Sequence, residues 1–124
     1  MAKEIKDIPR VIIPEFVLPL KFVQLYVNGK PYIIFERLFS HRDILRHILD
    51  RFDLKYGLVR DVSPELKGEN NTYEAVGMGR ASMSENELTI RTDSESIVYG
   101  LRFNKKHFEE VKPYFLKGLE VILN

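Results

Sequence analysis

The sequence contains no cysteine among its 124 residues. Without a thiol there can be no disulfide, no thiolate ligand for a metal ion and no thiol nucleophile. Phosphatases that depend on a catalytic cysteine are therefore excluded. Because no disulfide can form, the chain does not need an oxidising compartment, and a cytoplasmic location is the default expectation.

Long apolar runs and an excess of one charge are also missing. No apolar stretch is long enough to span a bilayer, and Met1–Asp7 is not followed directly by the apolar segment that a signal peptide needs. The 19 lysines and arginines nearly balance the 18 acidic residues, for a formal net charge of +1. This balance gives no overall signal for nucleic acid or an anionic membrane as partner. We expect one soluble domain over residues 1–124, a monomer rather than an oligomer.

What the sequence does contain is a series of patterns typical of an α+β fold. Residues 1–19 read as a proline-broken lead-in, in which Val11–Ile13 could add a short edge strand. Alternation predicts strands over 21–27, 32–37, 58–62, 73–76 with a continuation through 83, 88–92 and 119–123. Helical spacing predicts two helices, over 40–52 and 104–111. We therefore expect a single domain with a mixed β-sheet flanked by two helices.

Two connecting segments and one helix cap have local sequence signals of their own. Asn28-Gly29 is the strongest short hairpin signal in the chain and predicts a two-residue type I′ turn. The polar segment 63–71 predicts a surface loop. Asn104 is a candidate N-cap for the second helix.

The segment Phe39–Leu45 predicts a histidine in the first turn of the first helix. Ser40 suits the N-cap position, and Asp43 three residues later makes a short-armed capping box. The first N–H groups of a helix point outward without partners and favour anions. His41 beside such a site could stay neutral and act as a base. The alternative is a histidine at a helix start with no chemical task.

Other segments have the composition of an anion site. Gly77–Arg80 combines glycines, which permit positive φ and close approach of a ligand, with an arginine whose planar fork suits phosphate. Ser96–Gly100 could add a hydroxyl and successive N–H groups, and Lys21 opens the first strong strand. Each has an ordinary alternative when taken singly: a β-bulge with a surface arginine, a strand that ends in glycine, and a solvated edge lysine.

Several routes to phosphate chemistry are absent. No Walker loop is present, because no Gly-Lys-Ser/Thr triplet occurs. The three histidines, His41, His47 and His107, are too few and too scattered to suggest zinc, and no aspartate pair has metal-binding spacing. We expect neither a metal nor a cofactor, and an anion site made from backbone N–H groups, cationic side chains and hydroxyls.

Taken together and in order, these segments resemble the Janus/Ocnus family of phosphohistidine phosphatases. The matching segments are Lys21–Val23, Ser40–Ile44, Gly77–Ser82 and Ser96–Gly100, with a weaker match at Leu119–Val121. The resemblance covers about residues 20–123. Each motif is loose, and the specificity comes from their order and spacing together.

The resemblance implies a compact α+β domain that removes phosphate from the side-chain nitrogen of histidine without a metal, with phospholysine as a second candidate substrate. His41 would be the catalytic histidine that accepts a proton from the attacking water. The implied partner is a phosphohistidine-containing protein or a small phosphoramidate, not a nucleic acid or a membrane. Whether water or His41 itself attacks phosphorus stays open at this point.

The resemblance also implies which residues hold the substrate: Lys21, Arg80, Ser96, Ile97 and Val98, with Ser96 acting through its hydroxyl and the next two through backbone. The sequence departs from the family pattern in four places. The hairpin has a two-residue turn instead of a long insertion, the 63–71 loop is longer, Met78 replaces a glycine, and Arg42 replaces a small residue. Arg42 could add a phosphate contact or narrow the entrance, so the departures bear on substrate identity more than on the phosphate site.

Two other functions are compatible with the same residues. One is a non-catalytic module of this fold that binds phosphate or a phosphoprotein. The other is a structural or assembly protein in which His41 only starts a helix. An enzyme would turn over phosphohistidine or phospholysine, a binding module would only saturate, and a structural protein would do neither.

Overall fold

The computed structural model describes residues 8–14, 19–37 and 40–124. Residues 1–7, 15–18 and 38–39, which include most of the predicted lead-in and Phe39, lie outside the described residues. None of the helices in these ranges combines the length and the apolar character needed to cross a membrane.

Eight strands and two α-helices make up the described part of the chain. In order they are β1 (Val11–Ile12), β2 (Pro19–Val27), β3 (Lys30–Arg37), α1 (His41–Arg51), β4 (Leu58–Val59), β5 (Ser63–Pro64), β6 (Tyr73–Ser84), β7 (Glu87–Arg91), α2 (Lys105–Val111) and β8 (Glu120–Leu123). Six strands form one sheet in the order β1-β3-β2-β6-β7-β8, and β4 pairs with β5. The predicted α+β domain, with a mixed sheet and two helices, is confirmed.

The centre of the sheet is antiparallel and both of its edges are parallel. β2 lies between β3 and β6 and runs antiparallel to both, while β1 and β8 add parallel edge strands. The Asn28-Gly29 turn has positive φ at both residues, 50° and 81°, as a type I′ turn requires. The predicted hairpin and the predicted edge strand at Val11–Ile12 are therefore confirmed.

The segment after α1 departs from the prediction. The strand expected over 58–62 ends at Val59, and the loop expected over 63–71 begins with β5, which pairs with β4. The reason is a reversal that composition does not reveal, because Arg60 and Asp61 adopt positive φ of 53° and 63° and turn the chain back.

The two helices cover opposite faces of the sheet, and a separate core lies under each helix. Successive residues of a strand point to opposite faces, so β2 contributes to both cores. On the α1 face, the helix packs against Val23, Leu25, Val27, Tyr32, Ile34 and Met78 through Ile44, Leu45, Ile48, Leu49 and Phe52. On the other face, Phe108 and Val111 of α2 pack with Leu20, Phe22, Ile33, Phe35, Ala81, Leu88 and Ile90.

A buried polar network fixes α2 to the sheet. The Gln24 side chain accepts from the Asn104 N–H at 2.8 Å and donates to the Asn104 carbonyl at 2.9 Å. Asn104 caps α2 as predicted, since its side chain accepts from the His107 N–H. His107 donates from Nε2 to the Leu25 carbonyl, and its Nδ1 lies 3.3 Å from the Gln24 amide. Both ring nitrogens of His107 are thus occupied, which gives this histidine a structural role.

Candidate functional site

The first turn of α1 is held by a reciprocal cap. The Ser40 hydroxyl accepts from the Asp43 N–H at 3.3 Å and donates to the Asp43 carboxylate at 2.9 Å. The helix therefore begins at His41, where the sequence placed it. The N–H groups of His41 and Arg42 donate to no acceptor within the described ranges. They are the unpartnered donors that make a helix N-terminus suitable for an anion.

The imidazole of His41 has one nitrogen engaged and one open. Nε2 lies 2.9 Å from the Gly79 carbonyl oxygen, which can only accept, so Nε2 carries the hydrogen in this contact. Nδ1 makes no hydrogen bond to any described residue. Across the part of the chain that the structure covers, no polar side-chain atom is both sealed from solvent and unpartnered, so Nδ1 reaches solvent. The residue as a whole is only 8% exposed. Nδ1 is therefore the nitrogen through which the ring can accept a proton.

Two cationic side chains flank this histidine. Lys21 on β2 and Arg80 on β6 are direct cross-strand partners, so their side chains lie on the same face of the sheet. It is the face under α1, because the next partner pair on that face, Val23 and Met78, packs beneath the helix. Strand register and the start of the helix thus bring Lys21, His41 and Arg80 together.

The surroundings of His41 favour its neutral form. Its pKa lies below the ordinary value of 6.5, and burial is the largest cause. The hydrogen bond to the Gly79 carbonyl opposes this shift, whereas the charges of Lys21 and Arg80 add to it, because both disfavour another positive charge. The ring is therefore neutral at pH 7 and its Nδ1 lone pair is available.

Ser96 lies inside a tight turn. It is 1% exposed, its N–H donates to the Leu101 carbonyl and its carbonyl accepts from the Gly100 N–H. The hydroxyl oxygen lies 3.4 Å from the Tyr99 nitrogen and accepts from it. In this position the Ser96 hydroxyl holds the turn in shape.

The next two residues of the turn offer backbone donors. The N–H groups of Ile97 and Val98 have no acceptor among the described residues, and their side chains are 91% and 63% exposed. Ile97 lines a groove of about 300 Å³ together with Arg80, Arg91 and Ser94. Arg80 is therefore the residue that links the histidine to the turn, since no hydrogen bond described here joins the two directly.

Arg42, the second residue of α1, lies near Tyr99 of this turn. Burial raises the pKa of Tyr99, and the nearby charge of Arg42 acts in the opposite direction. The Tyr99 hydroxyl donates to the Pro64 carbonyl at 2.8 Å, which ties the turn to β5. The half-buried Arg42 thus stands next to the turn that contains Ser96–Val98.

The glycines of Gly77–Arg80 serve a purpose other than the expected one. Glycine permits positive φ, but neither Gly77 nor Gly79 adopts it. A Cβ on Gly79 would lie 2.6 Å from the Ser94 hydroxyl oxygen and 2.7 Å from the Phe22 ring, and one on Gly77 would meet the Gln24 side chain. Glycine is needed at both positions because neighbouring side chains pack closely against β6.

Sequence reasoning missed two residues of this region, Ser94 and Arg91. The Ser94 hydroxyl accepts from the Arg80 N–H and donates to the Arg91 carbonyl, both at 2.7 Å. Arg91 stands directly opposite Arg80 in the β6–β7 ladder. The available signal was the alternation of β7, which puts Arg91 on the face away from the buried Leu88 and Ile90.

The donors of this region suit an anion. Within the ranges covered by the structure, no three histidine or acidic side chains come together in a way that could hold a metal ion. A scan of the sequence against protein-family models and a search of curated proteins each gave no match.

Proposed function

We propose that this chain is a metal-independent phosphohistidine phosphatase that hydrolyses the P–N bond with His41 as general base. Phospholysine is a second candidate substrate. The observation that carries the proposal is the solvent-facing Nδ1 of a neutral histidine, set between Lys21 and Arg80 at a helix N-terminus. The resemblance of the motif order to the Janus/Ocnus family supports the same function.

The phosphoryl group would be held by the unpartnered donors around His41. These are the N–H groups of His41 and Arg42 and the side chains of Lys21 and Arg80. Among the described residues, no carboxylate lies within ion-pair distance of either cation. Both charges are thus free to bind a dianion, and Arg80 can bind two of its oxygens at once.

The chemistry needs one base and stabilisation of charge. A water molecule attacks phosphorus, and His41 Nδ1 accepts one of its protons. The P–N bond breaks and its electron pair stays on the imidazole nitrogen of the substrate, which then takes up a proton. Inorganic phosphate is the other product, and His41 Nδ1 gives up its proton, to this nitrogen or to solvent, so that the base is restored. Arg80 and Lys21 stabilise the charge on the phosphoryl oxygens in the transition state. Because a P–N bond is labile, positioning and this charge stabilisation are adequate.

The first experiment separates catalysis from binding at His41. His41→Ala should abolish turnover of phosphohistidine but keep phosphate affinity within about three-fold, because the base acts on water and not on the bound dianion. Hydrolysis rates and phosphate titrations followed by NMR measure the two effects. His47→Ala, on an exposed part of the same helix, is the matched control. Wild-type turnover by His41→Ala would show that the catalytic assignment is wrong.

Arg80→Ala should impair both properties. Loss of a charge-assisted contact that can be bidentate should weaken phosphate binding by about ten- to a hundred-fold, and turnover should fall with it. Unchanged phosphate affinity would place the anion site elsewhere. If the wild type binds phosphate but hydrolyses neither phosphohistidine nor phospholysine, the protein is a phosphate- or phosphoprotein-binding module instead.

A further inference from the structure

The row of cations beside His41 continues onto a third strand. Lys21 faces Arg80 across the β2–β6 ladder, and Arg80 faces Arg91 across the β6–β7 ladder. Direct partners in an antiparallel ladder lie on one face. The next partner pair along the β6–β7 ladder, Ala81 and Ile90, is buried on the opposite face, in the core under α2. Three positive side chains therefore stand side by side on adjacent strands.

One carboxylate adjoins the row: Glu36 faces Lys21 across the β2–β3 ladder, and its oxygens lie 3.4 Å from His47 Nδ1. Like charges directly opposite each other destabilise a sheet. Lys21 and Arg80 have no carboxylate within ion-pair distance in the described ranges, and Arg91 has only Asp93, at 3.7 Å. The side chains of Arg91 and Asp93 are 58% and 76% exposed, and an exposed pair of this kind contributes little. The end of the row formed by Arg80 and Arg91 therefore has no strong negative partner among the described residues.

The row is also longer than one phosphoryl group. Neighbouring strands are about 4.8 Å apart, so the backbone positions of Lys21 and Arg91 are separated by about 10 Å. Arg80 and Arg91 line one groove together with Ser94, whose hydroxyl bonds to the backbone of both arginines. A phosphoryl group that reaches His41 occupies the Lys21 and Arg80 end and leaves Arg91 for another group.

Two acidic residues in the groove bear on which ligand it takes. Glu95 lies 3.5 Å from Arg102, in a pair that is also exposed and contributes little. Asp93 is the remaining acid, and its weak contact with Arg91 can be exchanged for a ligand anion. Because Arg80 and Arg91 are both exposed, a polypeptide can reach the groove that they line.

We propose that Arg91 binds a second anionic group of the substrate, about one strand spacing from the phosphoryl group. This inference rests on the proposed function and names its substrate class: a phosphohistidine segment in which a neighbouring residue carries a carboxylate. Arg91 is then a specificity-determining residue. It contacts the substrate beside the reacting group and takes no part in the proton transfer.

The first test uses inorganic anions and needs no turnover. Pyrophosphate offers two linked anionic groups and phosphate only one. In Arg91→Gln, pyrophosphate affinity should fall by about ten-fold and phosphate affinity by less than about three-fold, since one charge-assisted contact is lost from the larger ligand alone. Arg51→Gln, which removes an exposed arginine at the far end of α1, should change neither. Equal losses for the two anions in Arg91→Gln would overturn the proposal.

The second test uses two phosphohistidine peptides that differ only in having Glu or Gln next to the phosphohistidine. The wild type should prefer the Glu peptide by about five-fold in kcat/KM, Arg91→Gln should lose the preference, and Arg91→Lys should regain part of it. The same preference in wild type and Arg91→Gln would exclude Arg91 as its source. If neither peptide is hydrolysed, the proposed function fails, and the anion comparison still decides the role of Arg91.

Discussion

One ring nitrogen of His41 bonds to the backbone, and the other faces solvent. The Nε2–H bond to the Gly79 carbonyl fixes the tautomer and the orientation of the ring. The same bond leaves the lone pair on Nδ1, where a water molecule or a phosphoryl group can reach it. Lys21 and Arg80 act on the ring without bonding to it, because their charges help to keep it neutral.

The pH dependence of the reaction follows from this environment. We expect kcat/KM to rise with pH and reach a plateau before neutrality, because the base must be unprotonated and the pKa of His41 lies below 6.5. Lys21→Gln should move the apparent pKa upward, since a lost positive charge makes protonation easier. The rate profile and an NMR titration of the His41 ring measure this shift.

Lys30→Gln is the matched control for that experiment. Lys30 is exposed and follows the hairpin turn, so its loss should leave the His41 titration unchanged. A rate that falls as the pH rises from about 5 to about 7 would contradict a general base at His41.

Among the elements, α1 matters most for the site, since the cap at Ser40 sets where the helix begins. Ser40→Ala removes the acceptor of the Asp43 N–H and should lower the free energy of unfolding by about 1 kcal/mol. Turnover should fall as well, because His41 is the first helical residue. Denaturant unfolding and hydrolysis rates measure the two effects. Ser40→Thr keeps the cap and is the control; equal stability of Ser40→Ala and wild type would refute the role of the cap.

Much of the fold could be predicted because its signals are local. Alternation marks β2 and β3, Asn28-Gly29 fixes their turn, and side-chain caps mark the start of both helices. The small β4–β5 hairpin could not be predicted. Its strands have two residues each, and the turn depends on positive φ at Arg60 and Asp61, which no local pattern requires.

The candidate site could be predicted from the sequence only in part, for a related reason. His41, Lys21 and Arg80 stand in recognisable motifs, and the structure brings them together. The alignment of Arg91 with Arg80 depends on the register between two strands, which a single sequence does not reveal. The Gly79 carbonyl was missed because a main-chain acceptor has no side-chain signature.

For the molecule as a whole, the side chains described around His41 predict an activity that survives chelation. Phosphate would be held by N–H groups and cations, and no described cluster of histidine or acidic side chains could hold a metal ion. Dialysis against EDTA should therefore leave hydrolysis of phosphohistidine intact. A loss that magnesium or zinc restores would count against the mechanism.

Two buried histidines also make global stability depend on pH. His41 and His107 both have a lowered pKa, chiefly because of burial. Below about pH 6.5 the unfolded chain binds protons at both positions before the folded protein does, so the free energy of unfolding should fall as the pH decreases. The slope is at most about 1.4 kcal/mol per pH unit for each histidine. Denaturant unfolding at several pH values measures it, and a stability that rises on acidification would contradict it.

The cationic row of Lys21, Arg80 and Arg91 also couples ligand binding to thermal denaturation. An anion that bridges these residues binds the folded protein alone, so it raises the melting temperature through mass action. At a hundred-fold excess over its Kd, the gain is about 2.7 kcal/mol. A library of anions can therefore be ranked by melting temperature before any reaction is known. Conversely, neutralising one cation relieves the repulsion, so the empty protein becomes more heat-resistant while it loses its response to ligand.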